Sequence, residues 1–258
     1  MAAWSEALPS VSIMSVAMEL SRRTRARLDP DGRYGLRLPL AVVAVLLVVV
    51  PFAYLTYAVQ GTGPLIRLDG RVADQLNAWV YDSPGFVTAM KWVSRLAEAT
   101  TLWVIVALAV GLVWRPGRQR ICIFLMVTTL GWGIINSLVK EAVGRPRPVV
   151  DHPVTISLSK SFPSGHTMGA TVVFGALLVA FWMLMPPRWR GRALIATIVL
   201  VLAVACSRLL LGVHFLTDVV GGFLLGLAWL LAMMAVFAPW RLDQPVDAVT
   251  PDVPDREP

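Results

Sequence analysis

Long stretches of this 258-residue chain contain no Asp, Glu, Lys or Arg, and three of them constrain its fold more than any other feature. They run from Leu38 to Ile66, from Ile121 to Val139 and from Val219 to Trp240. A helix needs about 20 predominantly apolar residues to cross roughly 30 Å of hydrocarbon. Charged residues make up only 15% of the whole chain, whereas a soluble domain carries about 25%. We therefore predict an all-α, polytopic membrane protein.

The apolar runs along the chain predict a bundle of six transmembrane helices. These spans cover about Leu38 to Val59, Phe86 to Trp114, Ile121 to Lys140, His166 to Met185, Ala193 to Leu211 and Val219 to Phe237. Together they define a membrane domain over residues 38–240. Residues 1–37 are predicted to be a partly disordered N-terminal arm. Residues 241–258 are rich in Pro and Asp and are predicted to be a disordered tail.

Arginine placement predicts which membrane side each connecting segment faces. Four basic clusters precede span one and follow spans two, four and six; they contain Arg22, Arg23, Arg25, Arg27, Arg33, Arg37, Arg115, Arg118, Arg120, Arg188, Arg190, Arg192 and Arg241. Cytoplasmic loops are enriched in Lys and Arg, and six spans place all four clusters on one side. We therefore predict a bacterial plasma-membrane protein whose termini are cytoplasmic. Because these clusters lie between apolar runs and not on a soluble basic face, we expect no nucleic-acid partner.

Seven polar residues are predicted to meet on the opposite, extracytoplasmic face. The ends of spans three and five and the starts of spans four and six share that face, because consecutive spans alternate in direction. Ionisable side chains near hydrocarbon are costly, and they commonly mark functional sites. The seven residues are Lys140, Arg147, Ser164, His166, Arg208, His214 and Asp218.

Several of these residues suit the binding of a phosphate group. Lys140, Arg147 and Arg208 supply fixed positive charge, and an arginine can hold two phosphate oxygens at once. Ser164 and Gly165 open a predicted helix, whose free N–H groups and positive end attract an anion. Gly165 also lets the backbone approach an oxygen closely.

His214 and Asp218 lie four residues apart, which is about one helical turn. This spacing lets the carboxylate hold one imidazole nitrogen and leaves the other free as a nucleophile or base. Nearby cations lower the pKa of His214 and Asp218 raises it, so the net direction is open at this point. No group of Asp, Glu and His has the spacing of a metal cage, which predicts metal-independent chemistry.

Each residue also has a purely structural interpretation when it is taken alone. A cation at a span end anchors the helix at the interface, a serine before a helix is an N-cap, and a His–Asp pair four apart stabilises a helix. We assign Arg145 and His152 to loops without a part in the site. Gly222 and Gly226 are predicted to mark a helix-packing face. The joint placement of the seven residues on one face favours a site.

The polar residues resemble the three-part signature of the type 2 phosphatidic acid phosphatase superfamily, whose members are integral-membrane lipid phosphate phosphatases. The three parts occur in order as Lys140-x6-Arg147-Pro148, Pro163-Ser164-Gly165-His166 and Ser207-Arg208-x5-His214-x3-Asp218. The six-span layout extends the resemblance over about residues 38–237. Arg145, which also precedes a proline, falls two positions early for the first part.

The resemblance implies a role for each residue. His214 would attack phosphorus and become a phosphohistidine, and Asp218 would orient it. His166 would protonate the leaving oxygen and then activate the water that releases phosphate. The implied phosphate-binding residues are Lys140, Arg147, Ser164, Gly165 and Arg208.

The predicted function is hydrolysis of a lipid phosphate, without a cofactor, by an enzyme whose partners are its substrate and the surrounding membrane lipids. Candidate substrates are phosphatidic acid, phosphatidylglycerophosphate and a polyprenyl diphosphate or monophosphate. Two alternatives stay open: a lipid phosphotransferase that uses the same phosphohistidine, and a transporter of anionic lipids. No oligomeric state is predicted.

Overall fold

A computed structural model of the chain describes residues 37–150, 159–182 and 184–237. These residues form eight helices and no strand: α1 (Arg37–Ala58), α2 (Pro64–Val80), α3 (Pro84–Arg95), α4 (Ala99–Val113), α5 (Gln119–Val143), α6 (Gly165–Trp182), α7 (Pro187–Leu210) and α8 (Leu216–Phe237). The all-α prediction is thereby confirmed for the described part of the chain. Residues 1–36 of the predicted arm, the whole predicted tail and His152 lie outside it.

The chain divides into two compact units, residues 1–46 and residues 47–258. Of the first unit the structure describes residues 37–46, which form the first turns of α1. The second unit contains the rest of α1 and all the other described helices. The site described below lies entirely within this second unit.

Four helices, α5 to α8, are long and apolar enough to cross a membrane. Helices α3 and α4 together also reach the necessary length, but they are bent by 47° at the break between them. Within the 22 residues of α1, the apolar stretch Val48–Ala58 is by itself shorter than the roughly 17 residues that a span requires, and the sequence before it is also apolar from Leu38 onward. The described helices therefore amount to four or five candidate spans, and the count of six stays a prediction.

Two predicted spans differ from the helices that contain them. The second span is predicted as one helix, but α3 ends at Arg95 and α4 begins only at Ala99. Glu98 between them has an extended backbone (φ −67°, ψ 145°), which takes the chain out of the helical region. The fifth span is predicted to begin at Ala193, whereas α7 begins at Pro187, a residue that suits the first turn of a helix.

Helix α2 was not predicted from the sequence. Its charged residues lower its hydropathy, so it does not resemble a span. One face is nevertheless buried, with Asp69, Ala73, Asn77 and Val80 at intervals of three and four residues, which is helical spacing. This face packs against α7 and α8. The helix therefore places a carboxylate, Asp69, inside the protein.

Helix α6 is the centre of the apolar core and packs against α4, α5, α7 and α8. Its buried side chains Met168, Val172 and Ala176 join Leu102 of α4 and Phe124 of α5 in one cluster. Full burial of a large apolar side chain contributes about 1.5–3 kcal/mol to stability. This core fixes the helix ends that carry the predicted site residues.

The predicted packing face at Gly222 and Gly226 is confirmed. A Cβ atom at Gly222 would lie 2.5 Å from the carbonyl oxygen of Ser164, and one at Gly226 would lie 3.0 Å from the carbonyl oxygen of Met168. Only glycine allows α8 to approach the backbone of α6 this closely. The contact places the start of α6 directly against the start of α8.

Candidate active site

The predicted motifs come together at one end of the bundle, where the C-terminal ends of α5 and α7 meet the N-terminal ends of α6 and α8. Ser164 donates its backbone N–H to the carbonyl oxygen of Asp218 at 2.9 Å, which ties α6 to α8. Ser161 donates its backbone N–H to the carbonyl oxygen of Arg145 at 2.9 Å, which ties the segment before α6 to the segment after α5. The structure therefore brings the three motifs to one end of the bundle.

The tight turn between α7 and α8 carries His214. Gly212 follows α7 with a φ of +66°, in the left-handed region where residues with a side chain are strained. The turn buries His214, whose side chain is almost inaccessible to solvent. Helix α8 then begins at Leu216, so Asp218 falls in its first turn, where the positive helix end stabilises a carboxylate.

The imidazole of His214 lies between a carboxylate and a guanidinium. Its Nδ1 is 3.4 Å from Asp218 Oδ2, and its Nε2 is 3.2 Å from Arg147 Nη1. A carboxylate only accepts and a guanidinium only donates, so Nδ1 carries the proton and Nε2 presents its lone pair. The contact at Nδ1 is long for a hydrogen bond, as catalytic hydrogen bonds often are before substrate binds. This is the tautomer that a nucleophile needs.

The surroundings of His214 lower the pKa of its imidazole to about 4 from an ordinary value of 6.5. Burial is the largest cause, because it disfavours the charged form. The hydrogen bond that the imidazole donates to Asp218 raises the pKa, and the charges of Arg147 and Arg208 lower it further. The imidazole is therefore neutral at physiological pH, and the direction that was open from sequence is resolved.

We expect the His214 imidazole to stay neutral down to about pH 5, where an unperturbed histidine is mostly protonated. Because its pKa is lowered, the neutral form is present above about pH 4 and is lost only as the pH falls through that value. Nitrogen-15 NMR of histidine-labelled protein in micelles measures this titration, and His214→Gln identifies the signal among the three histidines of the chain. A midpoint at or above 6.5 would contradict the burial argument.

Asp218 is held on both of its carboxylate oxygens. Oδ2 accepts the backbone N–H of Phe215 at 2.9 Å in addition to facing His214. Oδ1 accepts a hydrogen bond from Arg145 Nη1. The carboxylate is fully buried, so these partners replace the water that an exposed carboxylate would bind.

The assignment of Arg145 to a loop without a part in the site is wrong. Its side chain is buried and pairs with Asp218 on one side and with Asp69 of α2 on the other. A charged side chain that is buried needs such partners. Arg145 and Arg147 are two residues apart in the segment after α5, and both reach the His214–Asp218 pair.

Lys140 and Arg147 donate to the segment that precedes α6. Lys140 Nζ donates to the carbonyl oxygen of Lys160 at 2.7 Å. Arg147 donates to Ser159 twice, from Nε to the carbonyl oxygen and from Nη2 to Oγ, each at 2.8 Å. These neutral acceptors are weaker partners than the oxygens of a phosphate, because charge-assisted hydrogen bonds are about twice as strong. A bound phosphate is therefore able to replace them.

Arg208 leaves one donor without a partner among the described residues. Its Nη1 donates to Ser94 Oγ at the end of α3, whereas its Nε is buried and unpaired. A buried donor without a partner costs about 1–3 kcal/mol. An anion bound beside His214 would satisfy it, which fits the predicted phosphate-binding role.

The Pro163–His166 segment starts α6. The hydroxyl of Ser164 accepts the backbone N–H of Thr167 at 3.4 Å, the N-cap contact that its sequence position predicts. Gly165 lies so close to Asn136 that a Cβ there would be 2.9 Å from Asn136 Oδ1. His166 is half-buried and interacts electrostatically with Arg208 and His214.

Three contributing residues were missed in the sequence: Asp69, Ser94 and Arg145. A signal existed for two of them. Asp69 is the first residue of the buried stripe of α2, where a charged residue is exceptional. Arg145 is two residues before Arg147, a spacing that would place the two side chains on one side of an extended segment. Ser94 carries no comparable signal.

In the described ranges there is no group of three or more His, Cys, Asp and Glu side chains that could hold a metal ion. Metal-independent chemistry stays a prediction, and activity in the presence of a chelator tests it.

Comparison with known proteins identifies relatives of this chain. A family model described as the PAP2 superfamily matches residues 120–241. The chain is 34% identical over 150 residues to decaprenylphosphoryl-5-phosphoribose phosphatase of Mycobacterium tuberculosis, a match that covers 56% of this chain and 77% of that protein. It is 40% identical over 96 residues to phosphatidylglycerophosphatase B of Bacillus subtilis, covering 36% of this chain and 47% of that protein. The match therefore spans about half the length of the Bacillus protein.

Two further matches extend the comparison. Lipid A 1-phosphatase of Rhizobium johnstonii is 32% identical over 122 residues, or 44% of this chain and 46% of that protein. The crystal structure of a transmembrane PAP2-type phosphatidylglycerolphosphate phosphatase from Bacillus subtilis superposes with a TM-score of 0.68 at 23% identity. That superposition covers 78% of this chain and 99% of the other. At this identity it establishes the shared fold.

Proposed function

Since this chain belongs to the PAP2 superfamily, we propose that it is an integral-membrane phosphatase that hydrolyses the phosphate of a lipid through a phosphohistidine on His214. The relatives named above are all phosphatases. One geometric observation carries the proposal. His214 has a carboxylate on Nδ1 and a guanidinium beside Nε2, at the end of a bundle of apolar helices.

In the first step, Nε2 of His214 attacks phosphorus while the bond from phosphorus to the lipid oxygen breaks. Arg147 moves from Nε2 to the phosphoryl oxygens, where Lys140 and Arg208 join it. His166 gives a proton to the departing oxygen, so a lipid alcohol leaves, or a lipid monophosphate when the substrate is a diphosphate. Asp218 stabilises the positive charge that develops on the imidazole.

In the second step, water attacks the phosphohistidine. His166, now unprotonated, takes a proton from the water. The water oxygen bonds to phosphorus as the bond from phosphorus to Nε2 breaks. Inorganic phosphate leaves, and His214 regains its lone pair. Phosphate monoester hydrolysis is among the slowest uncatalysed reactions, and a covalent intermediate divides it into two easier steps. The cations stabilise the charge on the phosphoryl oxygens in both.

The position of the site supports a lipid as the substrate. The helix ends that carry it belong to α5, α6, α7 and α8, the four helices able to cross a membrane. A lipid phosphate at that level would place its charged group among the cations and its tail beside the helices. The candidates are phosphatidic acid, phosphatidylglycerophosphate and a polyprenyl diphosphate or monophosphate, and the relatives' names include both glycerophospholipid and prenyl types.

The proposed location is the bacterial plasma membrane, with the site extracytoplasmic and the chain ends cytoplasmic. The arginine-rich segments before α5 and α7 lie at the ends of these helices remote from the site, and such segments favour the cytoplasm. Intact spheroplasts should therefore hydrolyse an added water-soluble phosphate ester. Hydrolysis only after lysis would place the site on the other side.

We expect purified protein in micelles to release inorganic phosphate from at least one of these four lipids without an added acceptor. The release should be unchanged by EDTA, because the proposed charge stabilisation comes from Lys140, Arg147 and Arg208. The measurement is free phosphate against time for each lipid, with and without the chelator.

Three other outcomes would replace parts of the proposal. Phosphate transfer to an added alcohol with no free phosphate in its absence would identify a phosphotransferase. Loss of activity in EDTA with recovery in Mg²⁺ would overturn metal independence. Movement of an anionic lipid across vesicles that survives loss of His214, with no phosphate released, would identify a transporter.

A further inference from the structure

We infer that Asp69 and Arg145 are positioning residues for the histidine nucleophile, which makes helix α2 a required part of the active site. Asp69 lies outside the stretch 120–241 that the family model matches. Arg145 lies within that stretch but is two positions before the arginine of the first motif. The kinetic part of the inference rests on the proposed function, whereas its spectroscopic part does not.

Arg145 bridges two buried carboxylates. Its Nη2 is 2.7 Å from Asp69 Oδ2, and its Nη1 donates to Asp218 Oδ1. The guanidinium also stacks on Phe215, with its carbon 4.2 Å from the ring centroid. Because guanidinium is planar with donors in a fixed fork, these three contacts leave it one orientation.

The bridge fixes the orientation of the Asp218 carboxylate. Oδ2 faces Nδ1 of His214 and the backbone N–H of Phe215, while Arg145 holds Oδ1. With both oxygens engaged, the carboxylate cannot rotate and Oδ2 stays opposite Nδ1. Without Arg145, Oδ1 would be buried without a charged partner, and the carboxylate would be free to turn away from His214.

Asp69 supports the same turn from another helix. Its Oδ1 accepts the backbone N–H of Thr217 at 3.0 Å, and its Oδ2 accepts the hydroxyl of Thr217. That N–H belongs to the first turn of α8, whose N–H groups have no partner within the helix. Asp69 therefore caps α8 from outside and holds the turn that carries His214 and Asp218.

Stability alone does not account for this network. Asp69 and Asp218 are 0% exposed and Arg145 is 6% exposed, and two carboxylates share one guanidinium. Buried ion pairs contribute little net stability compared with well-packed apolar residues of the same volume. The charged network fixes the direction of the Asp218 oxygen that faces His214, and apolar packing would not do so.

Arg145 also differs from the arginines proposed to bind phosphate. Both of its Nη atoms face carboxylates, and its contact with Asp218 is to the oxygen that does not face His214. Arg147 instead lies beside Nε2, the side from which phosphorus would approach. Arg145 therefore acts through Asp218 and not on the phosphate.

The test compares Asp69→Asn, Arg145→Gln and Arg145→Lys with the wild-type protein. We expect each to lower kcat about 10²-fold, the scale of a 1 Å misplacement, with KM changed less than about threefold because no phosphate contact is lost. Arg145→Lys should fail to rescue, since one ammonium cannot bridge both carboxylates. The kcat of the double variant Asp69→Asn/Arg145→Gln should be no lower than that of the less active single variant, because the pair acts as one unit.

Nitrogen-15 NMR of His214 measures the tautomer of its imidazole, which would not change if Asp69 and Arg145 only stabilised the fold. In the wild-type protein we expect the single tautomer with a proton on Nδ1, and in the three single variants a mixture of tautomers. Asp74→Asn is the matched control, because Asp74 lies on the exposed side of the same helix. It should leave both kcat and the tautomer unchanged.

Three results would overturn the inference: wild-type activity in Arg145→Lys, a rise in KM that accounts for the whole loss, or a single Nδ1–H tautomer in the inactive variants. If the wild-type protein released no phosphate from any lipid, the proposed function would fail. The tautomer of His214 would still decide whether Asp69 and Arg145 position it.

Discussion

Replacement of His214 by alanine is expected to reduce phosphate release by at least about 10⁴-fold, since loss of a covalent nucleophile in other enzymes costs up to about 10⁶-fold. The variant lacks the imidazole that lies between Asp218 and Arg147. No other described nitrogen has both a carboxylate to orient it and cations facing its lone pair. The measurement is the initial rate of phosphate release from the best lipid substrate.

Leu211→Ala is the matched control for this variant. Leu211 is as buried as His214 and lies in the same turn, but its apolar side chain packs against Val80 and Val87 and contacts no reacting group. We expect it to lower the unfolding temperature and to keep activity within about tenfold, because a large-to-small change in a core costs about 2–5 kcal/mol of stability. Activity in His214→Ala equal to that of the control would rule out His214 as the nucleophile.

Replacement of His166 by alanine is expected to separate the two chemical steps. Loss of a general acid–base group costs about 10²–10⁴-fold, and both the first and the second step use His166. Attack by His214 does not depend on His166 when the leaving group needs no proton. With an activated ester such as a nitrophenyl phosphate, we therefore expect a rapid burst of alcohol followed by slow release of phosphate.

Rapid-quench measurement of both products tests this separation. In the wild-type protein alcohol and phosphate should appear at the same steady rate. In His166→Ala the burst should approach one alcohol per enzyme. Equal and equally slow release of both products from the activated ester would show that His166 does not act on the phosphoenzyme.

The sequence was sufficient to predict the helices α5 to α8, because their length and lack of charge leave few other structures. It also predicted which side chains share one end of the bundle. Alternating span direction brings the end of α5 to the start of α6 and the end of α7 to the start of α8. The contacts of Ser164 with Asp218 and of Arg147 with His214 follow from that arrangement.

The Asp69–Arg145 bridge was beyond this reasoning because its partners are distant in the chain. Asp69 contacts Thr217, 148 residues later, and no periodicity links positions so far apart. Alternation of spans does not help either, because α2 is not a span. The one indication of the bridge was a carboxylate on the buried stripe of an amphipathic helix. This position shows that Asp69 needs a partner but does not identify the partner.

The charge state of His214 shows a different limit. Sequence places cations and a carboxylate near the imidazole, and these shift its pKa in opposite directions. Burial decides the result, and His214 is buried by the tight turn at Gly212 that carries it. Only the folded geometry therefore shows that the pKa is lowered.

The most direct test is to identify the residue that carries phosphate during turnover. His166→Ala protein is mixed with a phosphorus-32-labelled activated ester, quenched in base, digested and analysed by mass spectrometry. We predict a label that is stable in base and labile in acid, as a phosphohistidine is, on the peptide that contains His214, and no label in His214→Ala. Phosphate on any other residue, or turnover with no labelled protein at any time after mixing, would contradict the proposed mechanism.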